Sequence, residues 1–95
     1  MVVGVLRVEM HLPRAQSLKQ KRSVVKSLKD QIRGRFNVAV AEVEANELWQ
    51  RAIIGVCAIG GDRVYVARLL QGVTEWIRAT HVVHVIHIEE EHMSL

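Results

Sequence analysis

Ala52-Ile53-Ile54-Gly55-Val56-Cys57-Ala58-Ile59-Gly60-Gly61-Asp62 is the stretch on which the fold turns. Its first eight residues carry no polar side chain, so with Gln50 and Arg51 ahead of them they read as a strand apolar on both sides. The glycine pair supplies a turn and Asp62 is placed to cap a helix. That helix puts Val66, Leu69, Leu70, Val73, Trp76 and Ile77 on one inner face. After it, Val82-Val83-His84-Val85-Ile86-His87-Ile88 is a β-branched strand, and the acidic run Glu89-Glu90-Glu91 opens a C-terminal tail over 89–95.

Upstream, Phe36 to Glu44 reads as a strand, joined to the apolar one through Ala45-Asn46-Glu47-Leu48. Before it, Ser17-Leu18-Lys19-Gln20 has the form of a capping box, in which the serine hydroxyl accepts the amide three residues on and the glutamine reaches back. The helix that follows carries Leu18, Val25, Leu28 and Ile32 along one stripe, with Gly34 as its expected stop. Val2 to Leu12 is the first strand, with Val2, Leu6, Val8, Met10 and Leu12 on one side and Arg7, Glu9 and His11 on the other.

The order is βαββαβ. Right-handed crossovers make it a ferredoxin-like α+β sandwich: a single domain over 1–95 with a four-stranded antiparallel sheet and two helices on one face. The other face then has no intramolecular cover, yet strand three does not alternate as a water-facing strand should. A second copy is therefore expected on the open face, giving a homodimer or larger assembly.

Charge is the second signal. Arg14 to Arg35 holds eight Lys or Arg and one acid, Asp30, so its local charge is +7 against +3 for the whole chain. The remainder carries −4. At ~100° per residue, Arg22, Lys26, Lys29 and Arg33 fall in one narrow arc of the first helix, with Lys19 at its edge. They extend roughly 16 Å along it, enough to meet more than one phosphate. Lys21 falls near the apolar arc and is expected to snorkel out to solvent. A solvated, solubilising face is the plainer explanation. The scarcity of acids favours an anionic partner, RNA ahead of membrane, because the core needs the apolar stripe of this helix. Arg14, Lys19 and Lys21 would assist the four aligned cations.

Other residues offer less. Strands one and three contain no aromatic side chain, so bases cannot stack on the sheet as they do on RNA-recognition motifs. His84 and His87, three apart on a strand, are expected on opposite faces and so unable to share a metal ion. Cys57, alone among aliphatics, is a packing residue; a single cysteine excludes an internal disulfide and fits a reducing cytosol. Gly60-Gly61-Asp62 lacks the Lys-Ser/Thr of a phosphate loop. Trp49 is expected to pack under its loop, the alternative being an exposed partner anchor beside Arg51. No carboxylate pair, nucleophile with base, cofactor motif or metal set stands out, so no enzymatic activity is expected. No apolar run reaches the ~20 residues needed to span a bilayer and no leader precedes the first strand, which together suggest a cytoplasmic protein.

His11-Leu12-Pro13, Ser17 to Arg22, Val25 to Lys29, Arg35 to Val43 and Leu48 to Ala52 together resemble the YlxP-like family, small bacterial proteins of unassigned function. The resemblance covers almost the whole chain. It implies a ferredoxin-like fold in the bacterial cytosol and, because family genes commonly neighbour those for translation initiation and ribosome-binding factors, a role in ribosome maturation. No family catalytic residue exists to carry over. The function expected is a non-enzymatic accessory protein of translation that binds RNA or a ribosomal particle. The alternatives are a dimeric small-ligand regulatory module and a protein-binding adaptor. Where such ligand modules often carry a glycine-rich loop, this chain has Pro13-Arg14-Ala15-Gln16.

Overall fold

A computed structural model describes residues 1–44 and 47–95. The elements are β1 (Val2–His11), α1 (Leu18–Arg35), β2 (Ala39–Glu44), β3 (Arg51–Gly60), α2 (Arg63–Ala79) and β4 (His84–Ser94). The strands lie in the order β2-β3-β1-β4, every pairing antiparallel, which is the ferredoxin-like α+β arrangement. Of the connection expected between β2 and β3, Ala45 and Asn46 lie outside the described residues.

Alternation builds the core. Leu6, Val8 and Met10 of β1 and Ala52, Ile54, Val56 and Ala58 of β3 point to the helix side, where they meet Val25, Leu28 and Ile32 of α1 and Val66, Leu70, Val73 and Ile77 of α2. Leu69 and Trp76 flank that stripe and are half-buried. Close approach of α2 to the sheet depends on Gly4, where a Cβ would stand 2.7 Å from both Leu70 Cδ1 and Val66 Cγ1.

The helix starts follow their sequence signals. The Gln20 amide donates to Ser17 Oγ at 3.1 Å, and the Gln20 side chain accepts from the Gln16 amide at 2.6 Å, one residue ahead of the serine. Asp62 accepts the Tyr65 amide at 3.3 Å. The end of α1 differs from expectation. Gly34 has no positive φ and stays helical, and the helix is capped two residues on by the Phe36 amide, which donates to Ile32 O at 2.9 Å. Phe36 and Val38 then pack on the core ahead of β2 instead of lying within it.

The largest departure is at the C-terminus. Glu89, Glu90 and Glu91 are strand residues paired with Arg7, Leu6 and Val5, and the pairing continues to Ser94 opposite Val2. Residues 89–94 are thus not an acidic tail but half of β4. A charge run conceals an edge strand because the ladder is made by backbone groups and one sheet face is open to water. Neither helix is long and apolar enough to cross a membrane.

Candidate nucleic-acid interface and the open sheet face

The helix layer concentrates cations. The two helices carry ten Lys or Arg against Asp30 and Glu75, a balance of +8, whereas the four strands carry six Glu against Arg7 and Arg51, a balance of −4. Along α1, Arg22 and Lys26 are exposed and Lys29 is half-buried beside the apolar stripe. Lys26 Nζ donates to Asp30 at 2.9 Å, and Arg33 Nη1 lies 3.4 Å from the same carboxylate. Hydrogen bonding from Lys26, with the charges of Lys26, Arg33 and Lys29 behind it, holds the Asp30 carboxyl below its usual range. Arg33 also donates Nη2 to Val40 O at 2.6 Å, so its guanidinium is partly engaged inside the fold. Arg14 and Lys19 are exposed near the start of α1.

Lys21 is a correction. It is 3 % exposed, not a snorkelling side chain at the edge of the cationic line. Its helical position falls between those of Leu28 and Ile32, in the middle of the apolar stripe, which turns it into the protein and away from any external phosphate.

Trp49 is the second correction. It is 52 % exposed, and with Leu48 and Ile86, also exposed, it borders an open cavity of about 460 Å³ together with His11, Gln50 and Arg51. Its neighbour Gln50 is held. Gln50 O accepts the Leu12 amide at 2.8 Å and faces His11 Nδ1 at 3.1 Å, while Gln50 Nε2 donates to Pro13 O at 3.3 Å. Arg51 is fixed by Glu9 at 3.1 Å.

The histidine geometry also differs. The register of β4 shifts between Glu9 and Met10, so that His87 pairs with Glu9, Val85 with Met10 and His84 with His11. The extra residue, Ile86, puts His84 and His87 on the same face as His11, the reverse of the simple parity expectation. The His11 and His84 rings lie 6.1 Å apart. Among the described residues no group of three or more His, Cys, Asp or Glu is placed to hold a metal ion.

Comparison with known proteins adds kinship. A family model described as "Protein of unknown function (DUF503)" matches residues 3–90. The chain belongs to this DUF503 family. It is 33 % identical over 76 residues to the uncharacterized protein YlxP of Bacillus subtilis strain 168, a match covering 80 % of this chain and 83 % of that one. Among solved structures, the de novo designed protein Foldit4 superposes over 99 % of this chain and 97 % of its own with a TM-score of 0.52 and 14 % identity, a likeness of fold alone.

What this DUF503 chain adds, and sequence reading missed, is the wiring of its open face. Arg7 reaches across β3 to Glu44 at 2.5 Å and sideways to Glu89 at 3.5 Å, linking both edge strands through the sheet centre. The hydrogen bond that Arg7 donates to Glu44 raises its already high pKa, so the guanidinium stays charged. Gly55, opposite Arg7 in the ladder, leaves room for Val43, whose Cγ1 would stand 2.7 Å from a Cβ there. The result is a shallow trough of about 680 Å³ floored by Val5, Ala41, Gly55 and Cys57 and rimmed by Glu44, Glu89 and Glu91. The one signal that could have found it is the lone glycine inside the apolar strand.

Proposed function

We propose that this protein is a non-enzymatic, cytoplasmic RNA-binding accessory factor whose helix layer lies against the phosphate backbone of ribosomal RNA or a ribosomal particle. The observation that carries the reading is the segregation of charge, +8 in the helices against −4 in the strands. A layered charge distribution of this kind steers a polyanion to one side of a protein and repels it from the other. Arg22, Lys26, Lys19 and Arg14 are the exposed contacts, with Lys29 and the outer part of Arg33 behind them. The direction toward the ribosome comes from the genomic company of the family.

Binding through these side chains is dominated by phosphate contacts, so it should be weakly sequence-specific and fall steeply with salt, the logarithmic slope being about −0.9 per phosphate neutralised. Cosedimentation with purified small ribosomal subunits tests it. Arg22→Glu/Lys26→Glu should lower affinity by more than about tenfold and reduce the salt slope by about 2 while leaving the fold intact. Unchanged sedimentation of that variant would sink the proposal.

A second reading, a dimeric ligand-binding module, is favoured by the trough over Gly55 and by the exposed Ile59 and Met93 at one end of the open face. A second copy seated there would bury these residues. A monomer mass that does not change with concentration in light scattering would reject the self-association.

A further inference from the structure

We infer that the end of the molecule bearing Trp49 is a stacking site for an unpaired nucleobase of the bound RNA. The inference rests on the RNA-binding reading of the helix layer and gives it a preference for single-stranded over duplex RNA. Trp76, the other tryptophan, is half-buried, and Arg35 lies 5.2 Å from its ring centroid. Trp49 instead faces solvent in the loop directly ahead of Gln50. Three contacts from Gln50 to His11, Leu12 and Pro13 sew this loop to the connection leading into α1. A large apolar ring held at the surface beside an open cavity is the arrangement that base stacking uses, because every base presents a π-face and little ordering entropy remains to be lost.

The surroundings match a nucleotide better than a purely apolar ligand. The depression of about 460 Å³ is wide open to solvent, which suits one flat ring laid on its wall better than an enclosed ligand. Leu48 and Ile86 give it apolar walls. Gln50, Arg51 and the His11 ring give it hydrogen-bonding edges. Among the described residues Glu47 is the only carboxylate in the lining, with Glu9 next to it on Arg51. The neighbouring connection carries Arg14 directly after Pro13, and Lys19 and Arg22 follow in the first turns of α1. A strand whose base rests on Trp49 can therefore continue its phosphates onto the cationic helix. The site lies at the end of the sheet, with His11 of β1, Arg51 of β3 and Ile86 of β4 in its lining, and stacking falls to Trp49 because β1 and β3 carry no Phe, Trp or Tyr.

The test uses the full chain and two RNA probes, a short unstructured single strand and a blunt duplex of equal phosphate count. The single strand should bind more tightly and quench tryptophan emission, the quenching disappearing in Trp49→Phe while Trp76 provides a constant background. Trp49→Ala should weaken single-strand binding about tenfold and leave duplex binding unchanged, whereas Trp49→Phe, which keeps a stacking face, should retain most of the affinity. Arg22→Glu/Lys26→Glu should weaken both probes alike. Binding that responds to the helix variant but not to Trp49→Ala overturns the stacking site and leaves the helix layer standing. Failure of the native chain to bind either probe at low salt overturns both.

Discussion

The two faces of this sheet are made from the same strands and sealed in opposite ways. On the helix side, alternate residues of β1 and β3 are aliphatic and vanish beneath α1 and α2. On the open side the same strands present Arg7, Glu9, Arg51 and Gly55, yet Ile53 is only 1 % exposed there without belonging to the helix-covered core. Its register neighbours are Glu9 and Glu44, whose carboxylates hold Arg51 and Arg7. Long charged side chains tied to one another lay their aliphatic stems over an apolar residue, so a sheet face can hide some of its surface without a second layer. The contrast extends to charge, since the layer that covers the core is cationic and the sheet beneath it acidic.

The largest expected effect separates packed from stem-covered burial. Leu70→Ala should cost about 2–5 kcal/mol in urea unfolding, as a rigid core relaxes little around the cavity. Ile53→Ala should cost less, because mobile neighbours and water refill its site; equal losses would show that the open face packs as tightly as the core. Next in size is a paired glycine experiment. Gly4→Ala drives a methyl group into the buried Leu70 and Val66 and should destabilise by about 1–3 kcal/mol. Gly55→Ala meets Val43, an exposed residue of an edge strand, and should be the milder change. A reversed order would mean that the Arg7 bridge and its trough are stiffer than the helix packing.

The smallest effect on stability and the most telling one for the charged layer is Asp30→Asn. It releases Lys26 and Arg33 from their carboxylate partner, so RNA affinity should rise several-fold with a salt slope steeper by about one. Since the Asp30 carboxyl is held below its ordinary range in the folded protein, its contribution to stability is present above the unfolded value near pH 4 and fades as pH falls through the lowered one. Acid titration of the variant should lack that component. An unchanged RNA affinity would argue that Lys26 and Arg33 do not face the ligand.

Periodicity made most of the framework readable. Val8, Met10, Val25, Leu28, Ile32, Val66, Leu70 and Ile77 sit where two- and 3.6-residue spacing put them, and Ser17 and Asp62 cap the helices they precede. Most of the misreadings share a cause: they concern residues whose place is set by a distant partner. Glu89 to Ser94 form a strand because β1 lies beside them, and His84 joins the face of His87 because one residue bulges opposite Glu9. Lys21 was legible by angle, but its charge suggested an escape to solvent that the stripe does not provide. Trp49 carries no local signal of exposure, since the bonds that hold it up come from Gln50 and the far end of β1.

The pairing of Val2 with Ser94 also sets a timetable. β1 is synthesised first and occupies the middle of the sheet, but one of its neighbours, β4, is made last. During synthesis β1 can dock on β3 while its other edge stays open, with Val3 and Val5 alongside unpaired backbone groups. Loop closure across nearly the whole chain makes that final zippering slow, and an apolar strand edge left waiting is a template for the same edge of a neighbouring nascent chain. The glutamates of β4 are thus the late-arriving residues that close this opening.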